Sequence, residues 1–148
     1  MGNFALVVGI IALITFMWSR WSPTNPDEWH LDPADVDDSA QRSFRLIGRE
    51  APRFSGPLSE VLQEFSEVAL SEPGVKALEG DISEGMMTFV ARAPVTGTRD
   101  VITVKAVAEG ANTKVSVISR QRMKLGSDAG RNRDRLDRWL AELQLRFA

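Results

Sequence analysis

Hydrophobic positions follow three different periods along the chain, and each period predicts a different element. From Phe4 to Trp18 nearly every side chain is apolar, and Met1 to Ser19 contains no Asp, Glu, Lys or Arg. A run of roughly 18 to 20 residues, rising about 1.5 Å each, crosses a hydrocarbon core of about 30 Å. Residues 1–21 are therefore predicted to form a transmembrane anchor through Phe4, Leu6, Val7, Ile10, Leu13, Phe16, Trp18 and Trp21. Trp18 and Trp21 suit the aromatic belt at the headgroups, and Arg20 between them can snorkel. A cleaved signal peptide calls for a basic n-region and a small-x-small cleavage site. Met1-Gly2-Asn3 carries no Lys or Arg, and Phe16-Met17-Trp18-Ser19-Arg20-Trp21 is bulky, so the run reads as uncleaved. Counting positive charges finds the α-amino group on one side and Arg20 on the other, which gives no orientation.

Residues 22–41 lose all periodicity. With Pro23, Pro26 and Pro33 and six acidic side chains, they predict an extended or loosely packed tether. Phe44, Leu46 and Ile47 suit a short opening strand. A helical period then appears at Leu58, Val61, Leu62, Phe65, Val68 and Ala69, with Pro57 at its start and Pro73-Gly74 at its end. The period shortens to two in Met86–Ala91, Val101–Val107 and Lys114–Ser119, and Val75–Leu78 is a candidate fourth strand. A last helix is predicted from Ser127-Asp128, with Ser127 as N-cap and a stripe of Leu136, Trp139, Leu140, Leu143 and Phe147. The implied fold is α+β: a transmembrane helix, then a two-layer domain over 42–148. Its single four-stranded antiparallel sheet has helices packed on one face and water on the other.

Charge sharpens this outline. The formal net charge is −2, but residues 22–100 hold 7 basic and 15 acidic side chains, whereas 114–138 hold 8 and 3. Such asymmetry points to a binding face, or to two halves that pair with each other. Nucleic acid is not an expected partner, because no aromatic residues interleave with the basic ones. The absence of Cys removes a disulfide-linked partner, a lipoprotein, a thiolate nucleophile and a Cys-ligated metal. His30 is the only histidine, so no His-rich metal site is expected, and a solvated juxtamembrane position suits it best. Met86 and Met87 read as core filler. No catalytic constellation, metal site or cofactor is expected.

The segment from Ser119 to Arg135 joins the last strand to the last helix and is dense in guanidinium, glycine and small polar groups. Ser119, Arg120 and Arg122, followed by Ser127, Asp128, Gly130, Asn132, Arg133 and Arg135, resemble the signature of the family catalogued as domain of unknown function 1499. There an S-R-x-R run precedes S-D-x-G-x-N-R-x-R and a closing amphipathic helix. Weaker similarity lies in Trp29-His30-Leu31-Asp32-Pro33. The loop before Ser127 is one residue longer than usual, Arg131 replaces a common apolar residue, and the cysteine of many members is missing. The resemblance implies a small α+β domain, exported or membrane-attached, placed on the periplasmic side of a bacterial inner membrane. It implies no reaction.

The motif has two physical readings. Asp128 could hold guanidinium groups and fix the strand–helix corner, while Asn132 satisfies backbone groups of the glycine-containing loop. Alternatively, Arg120, Arg122, Lys124, Asp128, Asn132, Arg133 and Arg135 form an anion- or partner-binding site beside a helix N-terminus. The leading expectation is a membrane-anchored, non-enzymatic accessory or interaction domain that contacts a larger membrane protein assembly. The alternative is a module for a lipid or anionic metabolite, with a cavity lined by Phe65, Met87, Val104 and Trp139. An enzyme is the weakest, because a carboxylate such as Asp128 beside arginines makes a poor general acid.

Overall fold

The computed structural model describes residues 1–148. Its first element, α1 (Gly2–Trp21), is long and apolar enough to cross a bilayer, a property that a signal sequence near an N-terminus shares. None of its side chains is buried against the rest of the protein.

Beyond it the chain forms α2 (Pro26–Trp29), β1 (Ser43–Leu46), β2 (Arg53–Ser55), α3 (Leu58–Ser71), β3 (Val75–Asp81), β4 (Met86–Arg92), β5 (Arg99–Glu109), β6 (Asn112–Gln121) and α4 (Arg131–Arg146). Strands β3 to β6 make an antiparallel meander. The sheet has six strands, which corrects the expected four. Both β1 and β2 pair with the outer edge of β6, β1 against Val117–Arg120 and β2 against Asn112–Lys114. A single turn of tight helix at Gly48–Glu50 separates them. Strand β1 lies where Phe44, Leu46 and Ile47 suit a short strand, whereas the three residues of β2 carry too little alternation to stand out in a sequence; β6 recruits both through backbone pairing.

Along β4 to β6, Phe89, Ala91, Ile102, Val104, Ala106, Val115 and Val117 point to the face that receives α3 and α4. Phe65 of α3 meets Trp139 of α4 edge-on at 5.9 Å and Phe89 of β4 at 6.2 Å. Phe65, Val104 and Trp139 are buried, with Met87 against them, so the cavity considered for a ligand at these residues is filled core. Met86, Thr88, Val101, Thr103, Ile118 and Arg120 alternate onto the opposite face.

That second face is not wet. Residues 22–41, expected as a loose tether, run across it as an ordered belt. Trp29 and Val36 are each only 5% exposed. The belt is polar in sequence, yet it buries Trp29 and Val36, with Trp29 stacked on Arg120 of β6. Lys105 on β5 pairs with Asp32, and Arg45 on β1 donates to the carbonyls of Pro33 (3.3 Å) and Val36 (2.7 Å). The resulting architecture is a sheet sandwiched between two helices and a belt.

Candidate functional site

The strand–helix motif splits across the sheet, because Ser119 and Gln121 point to one face and Arg120 and Arg122 to the other. On the helix side, Asp100 at the start of β5 is 3% exposed and organises the corner. It accepts two hydrogen bonds from Arg131, from Nε and Nη2, both at 2.6 Å, and one from Arg135 Nη1 at 2.9 Å. Arg135 Nε, Arg138 Nη1 and Trp139 Nε1 converge on the Glu72 carboxylate at 3.2, 2.9 and 3.3 Å. The hydrogen bond from Arg131 to Asp100 raises the Arg131 pKa above its ordinary value, against the opposing effect of burial.

Asp128 holds no guanidinium, contrary to expectation. Its Oδ1 accepts from the Gly130 amide at 2.9 Å, and its Oδ2 from Asn132 Nδ2 at 2.6 Å. Asn132, fully buried, also donates to the Arg42 carbonyl and accepts from Ser119 Oγ (2.7 Å) and Arg135 Nη1 (3.1 Å). It thus serves the segment before β1 rather than the glycine-containing loop. The helix begins at Arg131 with Gly130 at its cap, and Ser127 instead accepts from the Ala129 amide. Gly130 lies at φ 81°, a conformation that glycine adopts without strain. Arg133 is exposed, 5.2 Å over the Phe44 ring and 3.8 Å from Asp137. Lys124 is exposed in the loop after β6, and no carboxylate lies within ion-pair distance of it.

On the belt side, Arg120 is 6% exposed and has no ion pair; its guanidinium lies 4.3 Å from the Trp29 ring centre, and Nη2 donates to the Trp29 carbonyl at 3.0 Å. Burial lowers its pKa, while the fields of Asp38 and Glu28 oppose that shift. His30 is also part of the belt and not solvated: Nδ1 lies 2.6 Å from Thr88 Oγ1 and Nε2 lies 2.7 Å from Glu84. Thr88 is fully buried and shares its hydroxyl with Thr103 at 2.8 Å. The hydroxyl end of this carboxylate–imidazole–hydroxyl row is buried, and the row joins the belt to β4 and the loop before it.

Where the sheet ends beneath α1, three arginines take hold of the helix terminus. Arg92 and Arg99 donate to the Arg20 carbonyl, and Arg99 also to that of Ser22. Arg122 donates to the Ser22 carbonyl (3.0 Å), Ser22 Oγ (2.7 Å) and the Pro23 carbonyl (3.1 Å). The last carbonyls of any helix lack intrahelical partners and carry the negative end of its dipole, so guanidinium donors fit there. Burial first, then the fields of Arg122 and Arg92, lowers the Arg99 pKa. Burial likewise lowers that of Arg122, opposed by Glu28 and reinforced by Arg92.

The structure thus uses Arg120, Arg122, Asp128, Asn132 and Arg135 in internal contacts and leaves Arg133 and Lys124 on the surface; the seven do not converge on one site. Sequence reasoning missed Asp100, Glu72, Arg92 and Arg99. Asp100 and Arg99 stand together at the start of the β-rich run 101–107, and that was the available signal.

The belt carries a pH dependence. Burial alone would raise the Asp32 carboxyl, but the Lys105 hydrogen bond and charge, with the Ala34 amide, outweigh it and hold the pKa below its usual value. A depressed carboxyl pKa contributes stability that is present above about pH 4 and is lost as pH falls through the folded value. Carbon-detected titration of Asp32 should therefore show a midpoint that moves upward in Lys105→Gln. An unchanged midpoint would mean that the pair does not form in solution.

No family model matches the chain, and no curated protein matches it. Among solved structures, protein CV1439 from Chromobacterium violaceum is similar at 15% identity and a TM-score of 0.48, covering 72% of this chain and 96% of its own. The protein TTHA0849 from Thermus thermophilus is similar at 12% identity and a TM-score of 0.33, covering 70% and 92%. Neither description states an activity.

Proposed function

We propose that the chain is a membrane-anchored, non-enzymatic accessory domain that contacts a larger membrane protein assembly. The observation that supports this reading is the arginine clasp on α1. A flexible linker would let the domain tumble below the membrane; Arg92, Arg99 and Arg122 tie the Arg20, Ser22 and Pro23 carbonyls to the sheet end, which supports a domain held with one surface toward the bilayer. Removing α1 by cleavage before Trp21 would discard the Arg20 carbonyl that two guanidiniums share. Confinement beside a co-membrane partner raises effective concentration, so a weak contact suffices. The family resemblance supports a periplasmic position for the domain.

Membranes washed in alkaline carbonate should retain a polypeptide whose intact mass includes α1. Mature chain that starts beyond Trp21 and washes off would refute the anchor. In-membrane crosslinking followed by gentle extraction should recover a reproducible heteromeric band, and repeated recovery of free monomer would count against the accessory role. Protease shaving of spheroplasts should digest the domain if it is periplasmic.

A second reading, an anion-binding module, draws on cations that have no carboxylate partner. The strand–helix corner is a poor place for it, because Asp100 and Glu72 already occupy Arg131, Arg135 and Arg138. Arg20, Arg92, Arg99 and Arg122, none of which has a carboxylate partner, lie instead at the end of the sheet beneath α1.

A further inference from the structure

Arg20, Arg92, Arg99, Arg122, Lys76 and Lys124 all belong to the end of the sheet nearest α1 or to the strands and loops bordering it. None of them makes an ion pair, although most other basic groups of the domain do. The field of Glu28 reaches Arg122. Arg92 Nε is buried without a hydrogen-bond partner. Between these groups opens a cavity of about 490 Å³, with Arg20, Lys76, Arg92 and Arg99 as its charged lining. Its remaining walls are mostly backbone and small or apolar side chains, among them Pro73, Ala77, Leu78, Val90 and Pro94.

A second observation comes from the two loops at that end. The loop between β4 and β5 exposes Val95 (87%), and the loop after β6 exposes Leu125 (74%) and part of Met123. Arg20 Nη1 reaches the Val95 carbonyl at 3.5 Å, tying the first loop to α1. Met123 and Leu125 border a hollow whose other wall is Thr15, Trp18 and Ser19 of α1. Apolar tips therefore stand beside the last turns of a bilayer-length helix, at the level of Trp18 and Trp21. A clustered set of cations with apolar residues at the same height matches the layering of a membrane interface, where anionic headgroups lie just outside the acyl boundary.

We infer that this end of the domain binds the phosphate of an anionic lipid in the cavity between Arg20, Lys76, Arg92 and Arg99, with Val95, Met123 and Leu125 dipping into the bilayer interface. The inference rests on the reading of α1 as an uncleaved anchor. Guanidinium forks suit phosphate oxygens, and the anion relieves the mutual repulsion of Arg92, Arg99 and Arg122. The Arg20 and Ser22 carbonyls take Arg92 Nη2 and both Nη nitrogens of Arg99, which leaves Arg92 Nη1, Arg20 and Lys76 as donors for the headgroup. The domain is thereby seated on the membrane by lipid as well as by α1.

The test uses the full chain in nanodiscs of phosphatidylcholine with or without phosphatidylglycerol, and native mass spectrometry counts the lipids that stay bound on release. Phosphatidylglycerol should be retained in preference to phosphatidylcholine. Lys76→Gln and Lys124→Gln, two exposed side chains outside the clasp, should each weaken retention by up to about fivefold. Arg92→Gln should weaken it further, with circular dichroism confirming the fold. Equal retention of both lipids, or retention unchanged in Lys76→Gln and Arg92→Gln together, would overturn the inference while leaving the anchor intact. Equal protection of the detergent-solubilised chain by inorganic phosphate and by phosphatidylglycerol would show a site for free anion and would also overturn it. A chain that fails to enter the discs refutes the anchor and this inference together.

Discussion

Asp100→Asn is expected to destabilise the folded domain by about 3–5 kcal/mol, a drop of roughly 10–20 °C in melting temperature. The reason lies in what remains when the charge is removed. Asp100 accepts three hydrogen bonds from two guanidiniums, and the Arg135 side chain is only 8% exposed. An amide at that position accepts at one oxygen and, in either orientation, turns a donor toward a guanidinium that already donates there. Arg135 would keep Glu72 at 3.2 Å but would face Arg131 with no intervening negative charge. A buried ion pair adds little net stability over an apolar replacement, yet removing one member leaves the desolvation cost of the other uncompensated. Thermal and urea denaturation check the size. The double variant Asp100→Asn/Arg131→Gln should recover part of the loss, since it removes one of the two stranded cations. A single substitution with less than about 1 kcal/mol of effect would mean that the corner is solvated and that its network carries no weight.

Trp29→Ala is expected to release the belt. Truncation of a buried Trp costs about 3–5 kcal/mol. The segment it sits on has little else apolar to hold it: Val36 and the aliphatic part of a few side chains. Trp29 also supplies the ring under Arg120, and its loss leaves that guanidinium beneath nothing but solvent or the bare strand. The belt is short and lies outside the main core, so it can open without unfolding the sheet and helices. Hydrogen exchange at the His30 and Asp35 amides, bonded in the native state to the Pro26 and Asp32 carbonyls, should accelerate by roughly two orders of magnitude or more. Limited proteolysis should then cut within 27–38, while amides of β5 stay protected. Unchanged exchange would show that the belt is held by the Asp32–Lys105 and His30–Glu84 pairs alone.

These two sites mark the boundary of what the sequence disclosed. The α3 and α4 stripes were legible because a buried helical face repeats every three or four residues over many turns, and β4, β5 and β6 because alternation persists over several residues. The motif around Asn132 was legible as a corner, since small polar and glycine residues between a strand and a helix have few other uses. Its chemistry was assigned to the wrong acid. Asp128 is adjacent in sequence to the arginines, whereas Asp100 reaches them only because β5 and β6 pair with Asp100 opposite Gln121. Adjacent residues are easy to pair on paper; cross-strand partners need the register first.

The belt escaped notice for a related reason. Proline and acidic residues suppress periodicity, and the information that orders residues 22–41 resides in their partners: Arg120, Thr88, Lys105 and Arg45. Each partner alone reads as a strand residue on a solvated face. Local composition decided the apolar span of α1, the α+β alternation and the two amphipathic helices, because each depends on side chains close together along the chain. Pairing between distant strands decided the sixfold sheet, the covered second face, the acid at the corner and the clasp beneath α1, because each depends on which residues the sheet register brings side by side.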